Sequence, residues 1–132
     1  MIQTALRETK EELGVDPEAV TVLGQLSPLG FPPPLNMMIY PVVGVVPEKP
    51  VFVPDPREVE EVVEVPLQWF GEKEASTMAY VQLPLGDWAD VDAFRVGDHI
   101  IWGGTAMILS ELLTIMQEEA LLPWKKSGRL AS

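Results

Sequence analysis

Two proline-rich segments, residues 28–36 and 47–56, limit what this chain can fold into. Proline has no backbone N–H to donate to a strand ladder, so the first segment is not expected to continue a sheet, and the second separates one group of apolar residues from the next. The chain is 132 residues long and 47% hydrophobic, which is enough for one sizeable core. We therefore predict a single domain over residues 1–132.

The apolar residues between these segments predict two helices and several strands. Residues 2–13 have the spacing of a helix, and Gly14 is placed to end it. A helical turn is expected from Pro66 to Phe70, and a closing helix from Thr105 to Glu119. Strands are expected at residues 20–26, 37–46 (buried on both faces, with Pro41 marking a bulge or an edge), 57–65 (half-buried), 77–83, 93–96 and 99–102. This order indicates an α/β or α+β sandwich.

The charge balance excludes several classes of partner. The chain has 20 acidic and 9 basic residues, for a formal net charge of −11, so a general nucleic-acid-binding surface is ruled out and docking on an anionic membrane is disfavoured. It has no cysteine, which excludes disulfides, thiolate metal sites and a cysteine nucleophile. No apolar stretch is long enough to cross a bilayer, and no secretory signal is readable. A phosphate-bearing substrate would need a divalent cation to reverse the local field.

Three glutamates of the first predicted helix share one face. At about 100° per residue, Glu8, Glu11 and Glu12 fall within an arc of about 100°. Like charges four residues apart destabilise a helix by about 0.2–0.5 kcal/mol unless a cation lies between them, and carboxylate oxygens suit Mg²⁺ or Mn²⁺. Arg7 lies one turn before Glu11, where it would pair with that carboxylate and orient it. The alternative interpretation is an ordinary solvated helix face.

The order of residues in this helix resembles a known motif. Residues 7–15 read Arg-Glu-Thr-Lys-Glu-Glu-Leu-Gly-Val, which is similar to the second half of the Nudix hydrolase signature, with Thr9 as a departure at an apolar position. The first half of that signature would fall before Met1. The resemblance therefore implies the C-terminal portion of a Nudix domain, beginning inside the Nudix box, with a Nudix-like α/β/α sandwich and a mixed sheet.

Two further segments resemble the coenzyme A diphosphatase branch of the Nudix superfamily. Residues 54–67 contain a Glu-Val-any-Glu pattern that ends in Val-Pro-Leu, and residues 101–109 contain Trp-Gly-any-Thr-Ala before the last helix. The resemblance implies hydrolysis of coenzyme A or an acyl-CoA to phosphopantetheine and adenosine 3′,5′-bisphosphate. Two alternatives stay open, which are hydrolysis of another nucleotide such as ADP-ribose and a catalytically silent Nudix fragment with a binding role.

The resemblance also implies roles for individual residues. Glu8, Glu11 and Glu12 would be catalytic and would hold Mg²⁺ or Mn²⁺, while Arg7 orients one of them. Glu61, or Glu58 beside it, would supply the general base or an outer metal contact, the alternative being exposed strand glutamates. The expected partner is a small nucleotide substrate of the coenzyme A type. A homodimer that covers exposed strand edges is a further expectation, as is a cytoplasmic, peroxisomal or mitochondrial rather than secreted location.

Overall fold

The computed structural model describes residues 1–119, which form an α+β protein with two helices and seven short strands. This confirms the predicted fold class. The described residues divide into two compact units, one made of Met1–Pro28 and Tyr40–Glu64, and the other of Leu29–Ile39 and the residues from Val65 onward. The elements are α1 (Ile2–Leu13), β1 (Thr21–Gln25), β2 (Leu29–Phe31), β3 (Met37–Ile39), β4 (Val42–Val45), β5 (Ser76–Gln82), β6 (Trp88–Val96), β7 (His99–Ile101) and α2 (Gly103–Glu118).

The first unit contains α1 and a two-stranded antiparallel sheet. The helix ends at Leu13 as predicted, because Gly14 adopts a left-handed backbone with φ of 74° and donates its N–H to the Lys10 carbonyl at 2.8 Å. Strand β1 confirms the strand predicted at residues 20–26. It pairs antiparallel with β4, and the register shifts between Val22 and Gly24, which marks an irregularity in the ladder.

The prediction of one long, doubly buried strand over residues 37–46 is wrong. The run breaks at Tyr40 and Pro41 into β3, which pairs with β2, and β4, which pairs with β1. Pro41 cannot donate to a ladder, and its carbonyl accepts a hydrogen bond from the Leu26 N–H at 3.0 Å. Both methionines of β3, Met37 and Met38, are about half exposed. The first proline-rich segment also contributes a strand after all, since β2 lies between its prolines.

The strand predicted over residues 57–65 is also wrong. Two consecutive N–H groups, of Glu58 and Val59, donate to the carbonyl of Asp55 at 3.0 and 2.8 Å, so the chain turns there, and in the described residues this segment joins no strand pair. Alternation of valine and glutamate favours a strand only where a partner strand supplies the ladder. Glu58 and Glu61 therefore lie on an irregular segment and not on a strand.

The second unit is built on the three-stranded antiparallel sheet β5-β6-β7. Seven residue pairs join β5 to β6, from Ser76 opposite Phe94 to Gln82 opposite Trp88. This confirms the strands predicted at residues 77–83 and 99–102, whereas the one predicted at residues 93–96 is longer and begins at Trp88. Every strand pair formed within residues 1–119 is antiparallel.

The core of the second unit forms where α2 packs on β6. Its buried members are Phe70, Phe94, Ala106 and Leu113, and the two phenylalanine rings meet edge to face with centroids 5.3 Å apart. The predicted turn at residues 66–70 is confirmed as a 3₁₀ helix over Leu67–Gly71. It supplies Phe70 to this core.

Candidate active site

Helix α1 presents a mostly apolar side and an acidic side. Four of its residues, Ala5, Leu6, Thr9 and Leu13, line a cavity of about 280 Å³ within the first unit. The remaining lining residues are Val15, Val20, Val22, Val42, Gly44, Val46, Pro50 and Phe52. The predicted ligands lie on the rest of the helix surface, where Glu8 and Glu11 are exposed and Glu12 is half-buried. Glu12 thus lies at the border between the two sides.

Arg7 contacts two of the three predicted metal ligands. Its Nη1 donates to both carboxylate oxygens of Glu11, at 3.0 and 3.3 Å, and its Nη2 lies 4.0 Å from Oε1 of Glu8. An exposed pair four residues apart stabilises a helix by only about 0.3–0.5 kcal/mol. The predicted pairing with Glu11 is present and adds little to stability, and the orienting role of Arg7 stays a prediction.

The three glutamates match a divalent cation in donor chemistry but are not gathered around one point. Within residues 1–119, no three histidine, aspartate or glutamate side chains are grouped closely enough to hold a metal ion. Carboxylate oxygens are nevertheless the ligands that Mg²⁺ and Mn²⁺ prefer. The side chains of Glu8 and Glu11 are 56% and 57% exposed, so both have room to rotate towards a cation. The ligand roles of Glu8, Glu11 and Glu12 stay predictions.

The C-terminal end of α1 is held by residues 53–55, a contact that no sequence pattern indicates. The N–H of Val53 donates to the Leu13 carbonyl and the N–H of Asp55 donates to the Glu12 carbonyl, both at 2.8 Å. A helix leaves its last carbonyls without intrahelical partners, and these two bonds satisfy those of Glu12 and Leu13. A Cβ on Gly14 would lie 2.9 Å from the Cβ of Val53 and 3.2 Å from its backbone N and O. Only glycine allows this approach.

Asp55 also forms a turn with Arg57. Its Oδ1 accepts the backbone N–H and the Nε–H of Arg57 at 3.0 and 3.2 Å, and its Oδ2 accepts Nη2–H at 3.1 Å. The side-chain hydrogen bonds from Arg57, followed by the one from its backbone, lower the pKa of Asp55 below its ordinary value of 3.8. An aspartate before a proline is a common start of such a turn, so the Asp-Pro dipeptide was the signal that could have revealed it.

Glu61 does not line the cavity of about 280 Å³ beside α1 but a second cavity of the first unit. With Glu60 it lines a shallow, open cavity of about 600 Å³. Lys49 and Glu64 also line this cavity and form an ion pair at 3.1 Å, and the remaining lining residues are Pro50, Val51, Phe52, Pro54 and Val62. The role of Glu61 or Glu58 as a general base stays a prediction.

Comparison with known proteins assigns this chain to a described family. The NUDIX domain model matches residues 1–89. A relative from Photorhabdus laumondii called "Uncharacterized Nudix hydrolase NudL" is 34% identical over 120 residues, covering 89% of this chain and 61% of that protein. A relative from Arabidopsis thaliana called "Nudix hydrolase 15, mitochondrial" is 35% identical and covers 87% of this chain and 41% of that protein. A second one, "Nudix hydrolase 22, chloroplastic", is 31% identical and covers 87% of this chain and 39% of that protein. The chain thus spans about two fifths to three fifths of the length of these relatives. Within residues 1–119, neither helix combines the length and the apolar character needed to cross a membrane.

Proposed function

This chain belongs to the Nudix hydrolase family, and we propose that the protein hydrolyses a nucleoside diphosphate linkage, with coenzyme A or an acyl-CoA as substrate. The observation that carries the proposal is the acidic side of α1. One helix presents three carboxylates there, and hydrogen bonds from Val53 and Asp55 hold the end of that helix next to Gly14. An acidic protein needs a cation to bind a phosphate anion, and carboxylates are the ligands that would hold that cation.

In the proposed reaction, Glu8, Glu11 and Glu12 would hold Mg²⁺ or Mn²⁺, and the cation would supply positive charge to the diphosphate and make a water molecule more acidic. Arg7 holds the Glu11 carboxylate through its two hydrogen bonds. A carboxylate oxygen of Glu58 or Glu61 accepts the proton that the attacking water loses. Water then attacks one phosphorus in line, and the bridging oxygen leaves with the other phosphate.

The choice of coenzyme A is supported by the two segments that resemble the coenzyme A diphosphatase branch. Residues 54–67 include the turn at Asp55 and the segment with Glu58 and Glu61, and residues 101–109 run from the end of β7 into the first turns of α2. ADP-ribose is the rival substrate, because it carries the same diphosphate linkage to adenosine without the pantetheine arm. The second rival is a fragment that binds a nucleotide or partner without turnover.

The test is to identify the products by mass spectrometry. The protein is incubated with coenzyme A and, separately, with ADP-ribose, in Mg²⁺, in Mn²⁺ and with a chelator, while circular dichroism verifies folding. We expect metal-dependent release of phosphopantetheine and adenosine 3′,5′-bisphosphate. Faster conversion of ADP-ribose would replace the proposed substrate. No product from either compound in a folded sample would favour the binding role.

A further inference from the structure

We propose that Asp55 is a positioning residue that fixes the C-terminal end of α1, and with it Glu12, relative to the segment that carries Glu58 and Glu61. The inference rests on the proposed function, because it assigns Asp55 a part in presenting carboxylates for that reaction. Asp55 itself neither binds substrate nor transfers a proton. Its contribution is a set of hydrogen bonds that join two stretches of chain far apart in the sequence.

Asp55 uses its backbone in both directions. Its N–H donates to the Glu12 carbonyl at 2.8 Å, which ties it to the last turn of α1. Its carbonyl accepts the N–H groups of Glu58 and Val59, at 3.0 and 2.8 Å. One residue thus connects the backbone of a predicted metal ligand with the backbone of a predicted base.

The side chain of Asp55 holds this backbone in its turn. Its carboxylate accepts three hydrogen bonds from Arg57, one from the backbone N–H and two from the guanidinium group. A turn closed by an aspartate side chain fixes the direction of the peptide groups on either side of it. Without the carboxylate, the N–H that points to Glu12 would no longer be held in place.

The end of α1 needs such support because the last turn of a helix frays when its carbonyls lack partners. Glu12 occupies that last turn, whereas Glu8 lies one turn earlier, inside the hydrogen-bonded part of the helix. Loss of the Asp55 bond should therefore disturb Glu12 more than Glu8. A carboxylate displaced by about 1 Å is enough to weaken catalysis strongly.

The chain supplies a matched control in a second Asp-Pro turn. Asp16 precedes Pro17, its Oδ1 accepts the N–H of Glu18 at 2.9 Å, and its carbonyl accepts the N–H of Ala19 at 3.0 Å. These bonds join residues of the same turn, whereas Asp55 also reaches α1. Asp16→Ala removes the same kind of side-chain bond as Asp55→Ala but leaves the bond from the Asp55 N–H to the Glu12 carbonyl in place.

The experiment compares wild-type protein with Asp55→Ala, Asp55→Asn and Asp16→Ala. Amide hydrogen exchange reports on the end of α1 without any substrate, and titration with Mn²⁺ alone reports on the carboxylates. In Asp55→Ala we expect exchange at Gly14 and Val53 to be faster by about tenfold, and the dissociation constant for Mn²⁺ to rise by about threefold to tenfold. We expect kcat for the identified substrate to fall by about tenfold, with KM changed by less than about twofold.

The two other variants set the limits of the effect. Asp16→Ala should match wild type in all these measurements. Asp55→Asn should lie between wild type and Asp55→Ala, since its amide oxygen still accepts the Arg57 N–H but lacks the charge. Should Asp55→Ala fail to fold, Asp55→Asn supplies the same comparison. Wild-type exchange rates in the Asp55 variants, or equal effects from Asp16→Ala, would overturn the proposal. A wild-type protein without turnover would refute the proposed function, while the exchange data would still decide whether Asp55 holds the helix end.

Discussion

Gly14→Ala should destabilise the first unit more than a glycine substitution that meets only an unfavourable backbone angle. Two costs combine at this position. The φ of 74° lies in the left-handed region, and the added Cβ would lie 2.9 Å from the Cβ of Val53 and 3.2 Å from its backbone N and O. Val53 cannot easily retreat, because its N–H bonds to the Leu13 carbonyl at 2.8 Å.

The two costs have different magnitudes. A left-handed backbone costs an L-residue about 1–2 kcal/mol relative to glycine, and forcing an extra methyl group into a packed contact costs about 1–3 kcal/mol. Together they predict a loss of about 2–5 kcal/mol in the free energy of unfolding. With a urea dependence of about 2 kcal/mol per molar, the unfolding midpoint should fall by about 1–2.5 M.

Gly97→Ala provides the control for this prediction. Gly97 has a φ of 57°, also in the left-handed region, but a Cβ there would meet no atom within 4 Å. Only the backbone cost of about 1–2 kcal/mol should apply. Urea unfolding followed by circular dichroism measures both variants. An equal loss in the two variants would refute the reasoning, because it would mean that the contact between Gly14 and Val53 yields without cost.

Three further predictions concern the carboxylates and the core. Glu12→Gln should abolish metal-dependent turnover with little change in stability, and activity within about tenfold of wild type would contradict its role as a ligand. Because Arg57 lowers the pKa of Asp55, the charged carboxylate stabilises the fold above pH 3.8, the ordinary pKa. This contribution is lost as the pH falls through the lower pKa of the folded protein. The difference in urea midpoint between wild type and Asp55→Asn should therefore shrink from pH 7 to pH 3. Leu113 is fully buried, so Leu113→Ala should lower the free energy of unfolding by about 2–5 kcal/mol. Ile115 is 40% exposed, so Ile115→Ala should lower it by less. Equal losses in the two variants would contradict the described core.

Elements with strong local patterns were predictable from the sequence. Helix α1 combines helical spacing with a glycine terminator, and its pairing of Arg7 with Glu11 follows from their separation of four residues. The hairpin of β5 and β6 turns through residues 83–87, and its first strand lies close to the bounds predicted at residues 77–83. In these cases the forces that select the structure act between near neighbours.

Features that depend on distant residues were not predictable. An apolar run over residues 37–46 does not reveal that its two halves pair with different strands, and the alternation in residues 57–65 does not reveal that a partner strand is missing there. The same holds for the site. The acidic side of α1 follows from helical spacing and was predictable. The hydrogen bond from Asp55 to Glu12 joins residues far apart in the sequence, which no local pattern connects.

The end of α1 and the residues that hold it are far apart in the sequence, and this sequence separation affects the order of folding. The β5–β6 hairpin closes across a short turn, where the Leu83 N–H donates to the Asp87 carbonyl at 2.7 Å. Leu13 and Val53, in contrast, lie about forty positions apart, and closing so long a loop is slow. During synthesis, the first helix emerges well before residue 55 exists to bind its end. We therefore expect pulsed hydrogen exchange during refolding to protect the hairpin first, so that the acidic helix, although first in the sequence, reaches its final geometry late.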